Sequence, residues 1–123
     1  MAEERGRILV VDDNRINRLK LSLSLEQQGQ SVVLAVNGRQ TLDLLRAEPF
    51  DVVLLDMIMP DMDGKTTFEE MKKTDPGVRV LLSSGYSADG AAQDMLKLGV
   101  RGFVMKPYRM AELLGKIRET LGD

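Results

Sequence analysis

Five short apolar runs, separated by segments with helical periodicity, constrain the fold of this chain more than any other feature. The runs are nearly continuous in Val, Leu and Ile instead of alternating with polar residues. They occupy residues 8–11, 32–36, 52–55, 78–82 and 100–105. Continuous runs of this length are typical of strands that are buried on both faces of a parallel sheet. Because helices must then cover both faces, the pattern predicts an α/β fold.

Helical periodicity follows each of the five runs. Ile16, Leu19 and Leu23 recur with the i, i+3, i+7 spacing of a helix, and Asn14 stands where it can cap the first turn. The other four helices are marked by Leu42 and Leu45, by Phe68 and Met71, by Ala92, Met95 and Leu96, and by Met110, Leu113, Leu114, Ile117 and Leu121. Five strands alternating with five helices predict a doubly wound α/β sheet.

The composition excludes several kinds of site and partner. The 123 residues suit one domain, and we expect a single domain over residues 1–123, with its core at about 6–121 and no output domain. The absence of cysteine and histidine excludes a thiol nucleophile, a Ser/His/Asp triad and an imidazole metal site. A net charge of −2 gives no long-range attraction to nucleic acid or anionic lipid. No apolar run approaches the length of a membrane span, so we expect a cytoplasmic protein without a membrane partner.

Polar residues follow four of the runs, where each predicted strand ends. They are Asp12 and Asp13, Asp56, Ser83 and Ser84, and Lys106. In a sheet of order 2-1-3-4-5, the first and third strands are neighbours at the topological switch point, and ligands bind outside their carboxyl ends. We therefore expect three carboxylates, a hydroxyl and an ammonium to meet at one edge of the sheet.

The carboxylates of Asp12, Asp13 and Asp56 call for a cation at this edge. Neighbouring strands lie about 4.8 Å apart. Two carboxylates 4 Å apart repel by roughly 4 kcal/mol at an effective dielectric constant near 20. With oxygen ligands and neither His nor Cys, the expected ion is Mg²⁺, with Mn²⁺ as a substitute. Each residue alone has a simpler role, as a helix cap, a turn residue or a solvated charge, but their joint occurrence at four strand ends favours a site.

These motifs resemble the receiver domain of two-component response regulators along essentially the whole chain. The matching segments are Val10-Val11-Asp12-Asp13-Asn14, Leu54-Leu55-Asp56 with the residues that follow as far as Gly64, Ser83-Ser84-Gly85, and Phe103-Val104-Met105-Lys106-Pro107. The resemblance implies a flavodoxin-like (CheY-like) sheet of order 2-1-3-4-5 with five helices. It also implies a phosphoacceptor signalling domain of a phosphorelay. Such a domain is not an enzyme, apart from Mg²⁺-dependent self-phosphorylation and slow self-dephosphorylation.

The resemblance further implies a phosphoacceptor and a set of metal ligands. Asp56 would receive a phosphoryl group from the phosphohistidine of a sensor histidine kinase or a histidine phosphotransfer protein, giving an aspartyl phosphate. Asp12, Asp13 and Asp56, together with the backbone carbonyl of Ile58, would hold Mg²⁺.

Three more residues receive roles from the resemblance. Lys106 would pair with one phosphate oxygen, and Ser84 would donate a hydrogen bond to another. Ser84 would then move toward the phosphate while Phe103 turns inward behind it, and this switch would control a downstream partner or domain. The output partner and the oligomeric state stay open, with a homodimer after phosphorylation as one outcome.

Two other functions fit the sequence less well. A phosphatase of the haloacid dehalogenase type would need Asp-x-Asp after the first strand, but here the two acids are adjacent. A flavin or dinucleotide binder would need a Gly-rich or Ser/Thr-rich loop where the chain has Asp12-Asp13-Asn14-Arg15.

Within the favoured function, three kinds of receiver stay open: a stand-alone receiver, a phosphate relay, or a receiver from a hybrid kinase or other multidomain regulator. The stretch Ser83-Ser84-Gly85-Tyr86-Ser87 resembles receivers attached to hybrid kinases and favours the last of these.

Overall fold

Five parallel strands form one sheet in the computed structural model, which describes residues 6–56, 64–84, 95–105 and 109–121. The strands are β1 (Arg7–Val11), β2 (Ser31–Ala35), β3 (Val52–Asp56), β4 (Val80–Ser84) and β5 (Gly102–Met105). The helices are α1 (Arg15–Gln27), α2 (Gly38–Ala47), α3 (Gly64–Thr74), α4 (described over residues 95–98) and α5 (Met110–Leu121). The strand order is β2-β1-β3-β4-β5, and all four pairings are parallel. The predicted doubly wound fold and its strand order are confirmed.

Each face of the sheet carries its own apolar core. Successive side chains of a strand point to opposite faces, so Leu9 and Val11 enter one core while Ile8 and Val10 enter the other. The first core lies under α2, α3 and α4, and the second lies under α1 and α5. All five residues of β3, the central strand, are buried. Burial on both faces is the physical reason why the strands read as continuous apolar runs.

Helix α1 covers the second core with a face that differs from the predicted stripe. Asn14 caps the helix as expected, because its Oδ1 accepts a hydrogen bond from the backbone N–H of Asn17 at 3.0 Å. The buried residues of α1 are Leu21 and Leu25. The residues whose spacing predicted the helix are exposed: Ile16 by 62%, Leu19 by 49% and Leu23 by 61%. The periodicity was therefore right about the helix, but it marked an outward face.

Among the described helices, none combines the length and the apolar character that a bilayer-spanning segment requires.

Candidate functional site

The carboxyl ends of β1 and β3 bring three acidic side chains together. Val11 and Leu55 are register partners, so Asp12 leaves β1 beside Asp56, the last residue of β3. Asp13 follows at the same edge, and each of the three acids has a carboxylate oxygen within 4.8 Å of the others. The buried acids, Asp12 and Asp56, are only 1% and 4% exposed, whereas Asp13 is exposed to solvent. The structure thus places together the three carboxylates that the sequence assigned to one edge.

Asp12 is fixed in place by the turn that follows it and by the first turns of α1. Its Oδ1 accepts a hydrogen bond from the backbone N–H of Asn14 at 2.8 Å, and its Oδ2 accepts one from the side-chain amide of Asn17 at 3.4 Å. Its carbonyl oxygen accepts a bond from the Arg18 guanidinium at 2.7 Å. Its backbone N–H donates to the carbonyl of Ala35, which extends the ladder to β2 by one bond. Asp12 is therefore held through both its side chain and its main chain.

Asp56 lies at the centre of the edge, flanked by β1 and β4. Its register partner in β4 is Ser83, which is 1% exposed. Ser84 closes β4 as the partner of Met105 at the end of β5. The side chain of Ser84 and the whole of Ile58 and Lys106 lie outside the described residues, so their expected roles stay predictions.

Phe103 lies in the middle of β5, opposite Leu82 in β4. Its side chain is partly buried and packs against the core under α2, α3 and α4. The switch movement that the family resemblance implies for Phe103 stays a prediction.

The donor set fits a hard divalent cation. Within the described part of the chain, the three acids offer carboxylate oxygens, which are the ligands that Mg²⁺ and Mn²⁺ prefer over the nitrogen and sulfur donors that other metals favour. Two of the acids, Asp12 and Asp56, are buried and thus held in fixed positions. The exposure of Asp13 leaves one side of the site open to water, which Mg²⁺ usually keeps in its coordination shell. A buried carboxylate beside a cation can also act as a nucleophile toward an electrophilic phosphorus.

Two residues at this site were not assigned to it from the sequence, namely Asn17 and Arg18. Both contact Asp12 from the first turns of α1 and are partly buried. A usable signal was their distance from the strand end, because a helix that begins at Arg15 has its first turns next to the carboxyl end of β1. Their residue types gave no signal, since Asn and Arg on a helix are most often solvated.

Known proteins share this fold and sequence pattern. Residues 8–118 match the family model for the response regulator receiver domain. The chain is 33% identical to the chemotaxis protein CheY of Bacillus subtilis over 94% of this chain and 97% of that protein. It is 36% identical to the transcriptional regulatory protein ZraR of Escherichia coli over 98% of this chain, but it spans only 27% of that relative's length.

A solved structure of similar sequence agrees with this family match. The CheY-like receiver domain protein from Methanospirillum hungatei superimposes with a TM-score of 0.89 at 32% identity, over 94% of this chain and 93% of that one. The family model extends from Ile8 in β1 to Arg118 in α5, and it therefore includes all five strands except Arg7. The chain therefore belongs to the receiver domain family of two-component response regulators.

Proposed function

We propose that this chain is a phosphoacceptor, in which Asp56 takes a phosphoryl group from a phosphohistidine of a partner protein in a Mg²⁺-dependent reaction. The modified chain then controls a downstream partner or domain. The observation that carries this proposal is the meeting of three carboxylates within 4.8 Å, two of which, Asp12 and Asp56, are buried. The chain acts on itself and turns over no separate substrate, apart from slow loss of its own phosphoryl group.

The chemistry asks little of the protein beyond positioning. An Asp56 carboxylate oxygen attacks phosphorus, the phosphorus–nitrogen bond of the phosphohistidine breaks, and the imidazole leaves with the electron pair of that bond. Asp12 and Asp13, with Asp56, would hold Mg²⁺, which when bound supplies neutralisation of the charge on the transferring group. Asp12 is already held by Asn14 and Asn17, so it would offer the ion an oxygen in a fixed position.

An aspartyl phosphate adds a charge of nearly −2 to the carboxyl edge. The predicted contacts of Lys106 and Ser84 would hold this charge. Phe103 lies beside Leu82 of β4 and packs against the core under α2, α3 and α4, so a movement of its side chain would carry a change at the edge to that face.

The outward face of α1 is the surface that fits the phosphodonor. Ile16, Leu19 and Leu23 form an exposed apolar stripe that begins four residues after Asp12. A protein that delivers a phosphohistidine to Asp56 must cover the carboxyl edge, and α1 begins at that edge. A contiguous exposed apolar patch is a common mark of a protein contact. We therefore place the histidine kinase or histidine phosphotransfer protein against α1.

The function is tested by incubating the chain with acetyl phosphate, a small phosphodonor, and measuring its intact mass. We expect one phosphoryl group per chain when Mg²⁺ is present and none when a chelator removes the metal. Uptake that is insensitive to the chelator, or no uptake under either condition, would contradict the proposal.

The partner surface gives a second expected result. Consider a histidine kinase or phosphotransfer protein that labels the wild-type chain. Replacing Leu19 by serine should make phosphoryl transfer from that protein about tenfold slower, since an apolar anchor of an interface is lost. Labelling by acetyl phosphate should not change, because this donor needs no docking surface. The free energy of unfolding should fall by only about 1 kcal/mol, because Leu19 is half exposed.

Leu98→Ser is the matched control for this variant. Leu98 is 38% exposed and lies on α4, which covers the opposite face of the sheet. Its replacement should leave the rate of protein-to-protein transfer unchanged. Equal rates for Leu19→Ser, Leu98→Ser and wild type would rule out α1 as the docking surface.

A further inference from the structure

Arg18 reaches from α1 to the main chain of the acidic turn. Its guanidinium Nη1 donates to the carbonyl oxygen of Asp12 at 2.7 Å, a distance typical of a strong hydrogen bond. The guanidinium therefore contacts the main chain of Asp12 and not the carboxylate that would bind a cation. Because the bond spans six residues from a strand end to a helix, it ties the turn to the body of α1.

The peptide that Arg18 holds is the one that leads into Asp13. The carbonyl of Asp12 belongs to the peptide plane that joins Asp12 to Asp13, so a bond to that oxygen restricts the direction in which Asp13 leaves the chain. Asp13 is exposed, and packing therefore does little to orient its side chain. Asn17, on the same part of α1, contacts the Asp12 carboxylate at 3.4 Å. Neighbouring residues of α1 thus restrain both the main chain and one side chain of the acidic pair.

We propose that Arg18 is a positioning residue for the cation site, which raises the affinity for Mg²⁺ by fixing the Asp12–Asp13 peptide. This inference rests on the cation in the proposed function. Outer partners that orient metal ligands typically contribute roughly ten- to hundredfold in affinity. Arg18 acts through the backbone and not on a ligand atom, so its contribution is expected near the lower end of that range.

The positive charge of Arg18 acts in the opposite direction. A guanidinium near the site repels a divalent cation, although the partly exposed surface and dissolved salt weaken this repulsion. If charge were the dominant effect, removing Arg18 would tighten Mg²⁺ binding. If positioning dominates, removing Arg18 weakens it. The sign of the change therefore separates the two effects.

The test is calorimetric titration of the metal-free full chain with MgCl₂. Arg18→Met removes the donor and keeps much of the side-chain bulk, and it should weaken Mg²⁺ binding by about tenfold. Arg18→Lys should recover part of the affinity, because its ammonium can still donate one bond. Lys20→Met removes the same charge from an exposed position two residues further along α1, and its affinity should equal or slightly exceed that of wild type. Arg18→Met binding as tightly as wild type, or more tightly, would overturn the proposal.

A second measurement needs no metal. The backbone N–H of Asn14 is bonded to Asp12 Oδ1 and reports on the order of the turn. Its hydrogen–deuterium exchange can be followed by NMR in the metal-free protein. The exchange should be faster in Arg18→Met than in wild type, and in Arg18→Lys its rate should return toward that of wild type. An unchanged exchange rate would contradict the positioning role. If the methionine variant does not fold, Arg18→Leu removes the same hydrogen bond and carries the same expectations.

The outcomes separate this inference from the proposed function. Measurable Mg²⁺ binding by wild type, with an unchanged affinity in Arg18→Met, would contradict the role of Arg18 alone. A wild-type chain without measurable Mg²⁺ binding would contradict the cation in the proposed function and, with it, the role of Arg18.

Discussion

Replacing Asp56 by asparagine is expected to abolish phosphoryl uptake from acetyl phosphate. Asparagine has nearly the same shape and keeps an oxygen acceptor at the end of β3, so the buried edge should still fold. Its amide is neutral, however, and cannot form a stable acyl phosphate. The uptake, measured by intact mass in the presence of Mg²⁺, should fall below detection.

Asp51→Asn is the matched control for this variant. Asp51 immediately precedes β3, and so it lies at the opposite end of the strand that Asp56 closes. Its Oδ2 accepts a hydrogen bond from the backbone N–H of Arg7 at 2.7 Å, and an asparagine oxygen can still accept that bond. Uptake by Asp51→Asn should match wild type. Equal uptake by Asp56→Asn and Asp51→Asn would show that Asp56 is not the acceptor.

Replacing Asp13 by asparagine is expected to change metal binding and metal-free stability in opposite directions. Without metal, three carboxylates lie within 4.8 Å of one another and repel. Removing one charge should raise the free energy of unfolding by about 1 kcal/mol. This is the repulsion expected between two such charges in a water-like medium, which applies because Asp13 is exposed. The affinity for Mg²⁺ should fall by roughly tenfold or more, since a carboxylate ligand is lost.

Denaturant unfolding with and without MgCl₂ measures both effects of Asp13→Asn. Mg²⁺ stabilises the folded chain by an amount that grows with the logarithm of its affinity. Wild type should therefore gain stability on adding metal, and a tenfold weaker variant should gain up to about 1.4 kcal/mol less. Glu26→Gln removes one negative charge from an exposed position near the far end of α1, and it should behave like wild type. A metal-free Asp13→Asn variant no more stable than wild type would contradict repulsion among the three acids.

The apolar runs predicted the sheet because its strands are buried on both faces. The clearest case is β3, where every residue is buried and the continuous pattern follows directly. Strand ends were less well predicted. The apolar runs stop at Leu55 and Leu82, yet β3 continues through Asp56 and β4 through Ser84. Main-chain hydrogen bonds hold a strand together, so a polar side chain at its end does not terminate it.

The outward face of α1 could not have been identified from the sequence. Leucines occupy alternate positions from 19 to 25, which distributes them around more than one side of a helix. Leu21 and Leu25 are buried because they face the sheet, while Leu19 and Leu23 point away from it. Only the position of the sheet decides between these faces, and that position depends on the whole fold.

The acidic edge was predictable from topology, whereas the role of Arg18 was not. Parallel strands end at a common edge, so the strand ends alone placed Asp12, Asp13 and Asp56 near one another. The contact of Arg18 depends on how the turn after β1 presents the Asp12 carbonyl to α1. The distance of Arg18 from the strand end places it near the edge, but its residue type does not specify this contact.

Chemical trapping of the phosphorylated residue tests the identity of the acceptor most directly. Borohydride reduces an aspartyl phosphate to homoserine, and peptide mass spectrometry then identifies the reduced position. After incubation with acetyl phosphate and Mg²⁺, we expect homoserine at position 56 and unchanged aspartate at positions 12 and 13. Homoserine at position 12 or 13 with intact Asp56, or phosphoryl uptake without any homoserine, would contradict Asp56 as the phosphoacceptor.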